Sequence, residues 1–519
     1  MNRIYFKLTI AVTLLTGFNS YAQQEAIDTA VFNRIRYAEL KSSQIPQLAH
    51  YLTDVSGARL TNSAGYKRAS NWAVATMKKW GLVNASLEPW GEFGKQWELK
   101  DFSISMKVPY AQSIVAYPIP WSANTKGLRQ AKVVLLTPRQ SMDSVYISQH
   151  SAEFKGKIIL KTGSGAGGEP VEEPSIERFS DSSLANMQDS HWVTRAMIDR
   201  YLGYFKMIEN IDAMLLKSGA IAIISADNSD VNGTVHVQAN NGHKLKAPQR
   251  LPEASMSWDD GQKIKRLIES GHEFELALNI NGTFSTEDTK GYNVVAEIPG
   301  SDPKLKAELV MLGGHLDSWQ SATGATDNAA GCAVMMEVVR LLDSLNLKPR
   351  RTIRIALWSG EEQGIYGSYN YVKNHFMNAD GTQNAENSKV SAYFNLDNGT
   401  GKIRGVFTQG NTAIKPVFEQ WLAPFNDLGA KTVTTKNTGS TDHTSFDWGG
   451  IPGFQFIQDP IDYESRTHHT NQDDYDHLQI DDLKQAAIIV ASFVYQASVR
   501  PELLPRKPFV KETFAFDGF

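Results

Sequence analysis

The chain predicts an α/β fold built on a largely parallel sheet, and three observations carry that expectation. Three short, near-continuous apolar runs, 307–312, 351–358 and 390–396, are separated by helical stretches, the pattern of strands buried on both faces. Each run leads into His or carboxylate: Gly313-Gly314-His315-Leu316-Asp317, Ser359-Gly360-Glu361-Glu362, and Asp397. In open α/β sheets, chemistry sits beyond the carboxyl ends of such strands. A chain of 519 residues also exceeds one ordinary core, so two or more folding units are expected.

In chain order, residues 1–22 read as a signal peptide. Arg3 and Lys7 precede an apolar core over 8–18, and the small residues Ser20 and Ala22 suit cleavage after Ala22. That core is shorter than the roughly 18–20 residues of a membrane span, and no Cys sits nearby to take a lipid. The expectation is an exported protein, periplasmic or secreted, with no membrane association after cleavage. Cys332, the single cysteine, excludes intrachain disulfides and any Cys-rich zinc site, and it reads as core. The net charge of −4 and the lack of a Lys/Arg block argue against nucleic acid as a partner.

Residues 23–118 are the first part of the main domain, helical at first and broken near Pro46. A helix over 63–80 places Ala69, Trp72, Ala73, Thr76, Met77 and Trp80 on one face, with Gly81 as its C-cap. From 119 to 285 the texture changes. Short β runs at 132–136, 157–160 and 220–225 surround a loop, 162–189, rich in Gly, Pro, Ser and Glu. A short helix at 213–219, a run at 251–256, a helix at 259–269 and a strand at 273–278 follow. This block carries no His/Asp/Glu constellation and reads as an insertion. The main domain resumes over 286–505, with a helix from 330 to 345 in which Met335 and Met336 are packing residues, and 506–519 form a tail.

The chemistry resides in His315, Asp327, Glu362, Asp397 and His469, nitrogen and carboxylate donors of the kind zinc accepts. A close pair of metals needs one bridging carboxylate and about two further ligands each, which five such residues supply. Each residue taken singly is as readily a helix cap or a core histidine; their placement at successive strand ends makes the case. In the Glu361-Glu362 pair, one carboxylate can bind metal while the other moves a proton. Asp317 suits a partner that fixes the His315 tautomer, and Asp473 could do the same for His469. His468 and His469 are both ligand candidates, and the other of the two could bind the oxyanion. Asp442 and His443 read as pocket wall or supporting residues. His272-Glu273 lacks the second His of H-E-x-x-H, and neither G-x-S-x-G nor a P-loop occurs.

His315-Leu-Asp317-Ser-Trp, Gly324-Ala-Thr-Asp327-Asn-Ala-Ala-Gly331, Gly360-Glu361-Glu362-Gln-Gly364 and His469-Thr-Asn-Gln-Asp473 together resemble the co-catalytic di-zinc aminopeptidase family of metallopeptidases, and within it the plasma glutamate carboxypeptidase branch. The matching motifs span 292–478. The resemblance implies a phosphorylase/hydrolase-like zinc peptidase domain with a mixed central sheet and, at 119–285, an inserted protease-associated domain. It implies two Zn2+ ions: His315 and Asp397 on one, Glu362 and His469 on the other, Asp327 bridging, Asp317 orienting the site. A hydroxide between the metals, with Glu361 as general base, would attack a peptide substrate near a free terminus. An aminopeptidase is the first expectation, a dipeptidase or carboxypeptidase the alternative. Two rivals differ in class: a glutaminyl cyclase-like acyltransferase, which would hold one zinc, and a non-catalytic binding protein, which would lack ligands or the base. A dimer is compatible with the sequence, which does not set the oligomeric state.

Overall fold

Four strands whose residues are nearly all buried form the centre of the main sheet: β1 (Leu309–His315), β2 (Thr352–Trp358), β3 (Val390–Asn395) and β4 (Gly453–Gln458). The computed structural model describes residues 24–163, 176–191, 195–226, 232–239 and 241–514. The signal-peptide expectation for 1–22 lies outside them, as do 164–175 of the expected loop and the end of the tail. The four strands pair in parallel in the order β2-β1-β3-β4. Antiparallel Lys290–Ile298 flanks β2, with Val83–Glu92 outside it; Ile403–Phe407 runs antiparallel to β4, with Thr432–Thr434 at the far edge. The result is an eight-stranded mixed sheet with a parallel centre.

Strand β1 runs further than its apolar composition indicates, through Gly313 and Gly314 to His315. Glycine is needed there because a Cβ on Gly313 would stand 2.1 Å from the Ala356 carbonyl of β2. The close approach lets the strand carry His315 directly into register with Trp358.

Four helices matter for the site: α1 (Ala64–Trp80), α2 (Arg195–Lys217), α3 (Ala330–Ser344) and α4 (Ile480–Val499). Helix α1 begins where the Ser63 side chain accepts from Tyr66 N–H and ends at Gly81, whose φ of 99° is left-handed, as expected of a C-cap. Helices α1, α3 and α4 cover one face of the main sheet, packing on Ile353, Ile355 and Leu357 of β2. Alternate residues, Ala356 and Trp358, meet Tyr371, Tyr393 and Phe446 on the other face. Cys332, Met335 and Met336 are buried in that first core, where packing reasoning put them. No helix among the described residues is long and apolar enough to cross a membrane.

A second eight-stranded sheet has the order 112–113, 96–108, 275–285, 129–136, 158–162, 222–226, 253–256, 116–118. Its longest pairing joins Gln96–Val108 to Glu275–Ser285, so this sheet starts upstream of the change in texture at 119. The expected short helix at 213–219 is the end of α2, which spans 23 residues. Its apolar residues do not share one stripe: Ile211 and Leu215 face the second sheet's core, whereas Leu202 packs against the main sheet's other core, which Trp448 and Phe509 also border. A helix that serves two surfaces loses the single periodic face by which a sequence announces it.

Candidate metal centre

Parallel register brings three strand ends to one place. His315 closes β1, Glu361 and Glu362 follow β2 by a turn at Gly360 (φ 70°), and Asp397 lies two residues beyond β3. Asp327 enters from the segment before α3, where the Asp327–Asn328 peptide is cis, and His469 from a loop after β4. Asn328 ties the arrangement together: its amide donates to Leu396 O (2.9 Å) and its carbonyl accepts from Gly331 N–H (3.0 Å).

Asp327 is the centre of the group. Its Oδ1 stands 3.0 Å from Nε2 of His315, and its Oδ2 stands 3.2 Å from Nε2 of His469. On the first side, Asp397 Oδ1 lies 3.2 Å from the same His315 nitrogen; on the second, Glu362 Oε2 lies 2.9 Å from the His469 nitrogen. The potential ligand atoms of His315, Asp327 and Glu362 fall within 4.8 Å of one another, as do those of Asp327, His468 and His469. Between the two adjacent histidines the geometry favours His469: His468 is 4.0 Å from Asp327, and its side chain is 32% exposed against 14%.

The donor set fits a metal. Asp327 Oδ2 and Glu362 Oε2 are buried oxygens that form no well-aligned hydrogen bond and crowd one ring nitrogen, His469 Nε2, an arrangement that costs free energy unless a cation joins them. His315 directs Nδ1 at the Asp317 carbonyl (2.9 Å); an N–H donated there leaves the Nε2 lone pair facing Asp327 and Asp397. Electrostatics agree. Burial opposes charge on His315, but the Asp397 and Glu361 carboxylates outweigh it and raise its pKa well above the ordinary value. Burial is likewise outweighed at His469, chiefly by Glu362. Burial and then the Asp327 charge push Glu362 up to about 7. Burial raises Glu361 well above the carboxylate range, against the opposing pull of His315. Such a cluster attracts cations: protons, or metal ions in their place.

The supporting residues differ from those the spacing indicates. Asp317 meets His315 through its carbonyl; its carboxylate instead accepts the N–H groups of Glu361 and Glu362, both at 3.3 Å. Thr61 donates to that carboxylate (2.8 Å) and accepts from Gly360 N–H (3.0 Å). Asp473 does not touch His469; it accepts from Thr326 N–H (2.6 Å) and Asp327 N–H (3.1 Å), holding the central carboxylate's own backbone. His443 is turned away from the cavity, with Nε2 beside Gln409 (2.6 Å) and the Thr438 carbonyl (3.1 Å). Asp442 is buried, and burial pushes it to about 8; Thr441 beside it donates to Asp397. Buried Arg59 binds the Leu316 (2.6 Å), Leu52 (2.8 Å) and Gly324 (2.8 Å) carbonyls, pinning both loops around Asp327. Thr61, Arg59 and Thr441 carry no spacing signal and escape sequence reasoning.

The group opens into a cavity of about 520 Å³. Glu361, Trp319, Tyr463 and His468 line it from the main sheet's side; Tyr201, Leu202 and Phe205 of α2 and Gln238 line it from the other. No Lys or Arg occurs among the described residues of its wall. An adjoining cavity of about 630 Å³ shares His243 and is edged by Lys244 and Lys246.

Residues 293–494 match the model of peptidase family M28. The chain is 26% identical over 479 residues to carboxypeptidase Q of Pongo abelii, covering 92% of this chain and 90% of that protein, and 25% identical to the human protein of that name over the same shares. Among solved structures, a peptidase M28 precursor from Shewanella amazonensis superposes with a TM-score of 0.68 at 24% identity, covering 92% of this chain and 98% of that one. A zinc aminopeptidase from Bacillus subtilis does so with 0.57 at 19%, covering 90% and 98%. The segment that carries His315, Asp327, Glu361, Glu362, Asp397 and His469 is the segment so matched, and over residues 293–494 the chain is similar to peptidase family M28.

Proposed function

We propose that the chain is an exported metallo-exopeptidase that holds two zinc ions and releases residues from the free amino terminus of peptides. The observation that carries this reading is the two-sided Asp327 carboxylate, one oxygen toward His315 and Asp397, the other toward His469 and Glu362. His315 and Asp397 would hold one ion, His469 and Glu362 the other, and Asp327 both. When bound, zinc supplies Lewis acidity for the scissile carbonyl and lowers the pKa of water toward about 7.

The chain's own residues do the rest. Glu361, in the cavity wall, accepts the proton of the attacking water and returns it to the leaving amine. Asp317 holds the Glu361-Glu362 turn through two N–H groups, so the base and its neighbour keep one orientation. His468 faces the cavity beside Tyr463, ring centroids 4.8 Å apart, and its N–H is the donor offered to the oxyanion. Residues of the second sheet's unit, in the role of the protease-associated insertion, wall the substrate side. Export follows from the leader-like residues 1–22.

An amino terminus is favoured because the described wall carries carboxylates and no Lys or Arg for a free α-carboxylate. One observation favours a second reading, a dipeptidase: the adjoining cavity edged by Lys244 and Lys246 could take the carboxylate of a short substrate. One peptide offered free, N-acetylated and C-amidated, with and without chelator, separates them by product mass. Loss of cleavage on N-acetylation alone supports the aminopeptidase; loss on both, with dipeptides still cleaved, supports the dipeptidase. Loss on C-amidation alone identifies a carboxypeptidase. No chelator-sensitive cleavage overturns the proposal and returns the cyclase and binding-protein readings, which zinc stoichiometry then separates.

A further inference from the structure

His469 lies at φ 59°, in the left-handed region that a residue with a Cβ occupies when its surroundings hold it there. Those surroundings come from the part of the chain that builds the second sheet. Residues 233–238 run antiparallel beside 469–472: Val237 N–H donates to His469 O (2.9 Å), Asn471 N–H donates to Val235 O (3.1 Å), and His236 bridges Thr470. Side chains reinforce the strap. Asn471 Oδ1 accepts from Val235 N–H (2.6 Å), and Gln472 donates to Thr234 Oγ1 (2.8 Å). At its end the amide nitrogen of Gln238 stands 2.5 Å from Nδ1 of His469, the ring nitrogen opposite the one that faces Glu362 and Asp327.

A neutral imidazole carries one proton, so the partner of one nitrogen decides what the other presents. With the amide nitrogen donating to Nδ1, the ring proton is on Nε2 and points at the two carboxylates. With the amide turned half a revolution, its oxygen accepts from Nδ1–H, and Nε2 presents a lone pair to the same place. Glutamine serves both states; a carboxylate there would serve only the second, and an aliphatic side chain neither. We infer that Gln238 is a positioning residue whose amide, turned to accept, holds His469 in its metal-binding tautomer. The second sheet's part of the chain thereby sets the affinity on the Glu362/His469 side of the centre. The inference rests on the two-zinc reading.

The test uses the full chain, stripped and reloaded with zinc against a chromophoric chelator, with unfolding of the metal-free forms followed in parallel. Wild type is expected to hold two ions. Gln238→Leu is expected to bind one of them as before and the other about tenfold more weakly, the scale of a lost ligand partner. Its metal-free unfolding temperature should be unchanged, and Gln238→Glu should match or exceed wild-type affinity. Unchanged affinity in the Leu variant overturns the inference. So does an equal loss at both sites that the Glu variant does not rescue, because that is a fold defect. Should the Leu variant not fold, the Glu variant decides alone: weaker zinc binding than wild type overturns the proposal. A wild-type chain with fewer than two ions sinks the two-zinc reading first and this inference with it.

Discussion

His315 and His469 present the same atom to the same carboxylate and are held by opposite means. His315 is the last residue of a central parallel strand, 1% exposed at its side chain, with Nδ1 on a carbonyl two residues away. His469 sits on a loop in a left-handed conformation, with Nδ1 on a glutamine from a segment between strands 222–226 and 253–256 of the other sheet. One arm of the centre is therefore part of the core, and the other depends on two parts of the chain staying together. Asp327 joins them, its backbone fixed by Asp473. The rigid arm can be damaged only by damaging the fold, whereas the loop arm can be tuned.

The largest effect should come from breaking both arms at once. Asp327→Asn keeps the shape and removes the charge shared by the two sides, so both ions should be lost from the purified protein and cleavage with them. Metal analysis of wild type and variant checks this; a variant that keeps two ions denies Asp327 the bridging role. The same centre has a pH signature. Zinc displaces protons from the histidines and from Glu362, which burial and Asp327 push to about 7, so affinity in the stripped protein should rise between about pH 6 and about pH 8. A flat profile would place the metal elsewhere.

Next in size is a change that spares both arms. Glu361→Gln should keep both ions and lose about a thousandfold in turnover, within the range of general acid–base catalysis. Wild-type rates in a fully loaded variant would remove Glu361 from the mechanism.

Gly313→Ala separates the arms by stability. A Cβ there meets the Ala356 carbonyl of the adjacent strand at 2.1 Å, and backbone cannot step aside as a side chain can. A loss of about 3 kcal/mol, the upper end of overpacking costs, is expected in denaturant unfolding. Gln238→Leu, on the loop arm, should leave metal-free unfolding unmoved. Equal destabilisation by the two would erase the contrast.

The same contrast explains what was legible in the sequence. The position of His315 was, because a buried parallel strand writes itself as a continuous apolar run and His315 follows at its end. The identity of the carboxylates beyond β2 and β3 was legible for the same reason. The partners were not. Asp473 was read as serving His469 from a four-residue spacing, but it reaches the Asp327 backbone across 146 residues of chain. Thr61, Arg59 and Gln238 make their contacts by tertiary proximity, which no local period encodes. Strand 96–108 was missed because its partner, 275–285, closes the second sheet from far along the chain, and α2 was legible only at its end because it packs on two surfaces.

Thr61 offers the smallest and sharpest probe of the rigid arm. Its hydroxyl accepts from Gly360 N–H at 3.0 Å and donates to Asp317 at 2.8 Å, so one atom joins the turn before Glu361 to the carboxylate that holds Glu361 and Glu362. Thr61→Val keeps the shape and removes both bonds, leaving a buried N–H unpaired at a cost of about 1–3 kcal/mol. The unpaired group, Gly360 N–H, adjoins Glu361, while Glu362 keeps its own bond to Asp317, so the loss falls first on the orientation of the base and turnover should drop about tenfold or less with both ions retained. Thr61→Ser keeps the hydroxyl and should restore most of the rate. If Ser behaves like Val, the methyl group's packing matters and the hydroxyl does not; if Val loses an ion, Thr61 supports the metal arm through Asp317 and not the base.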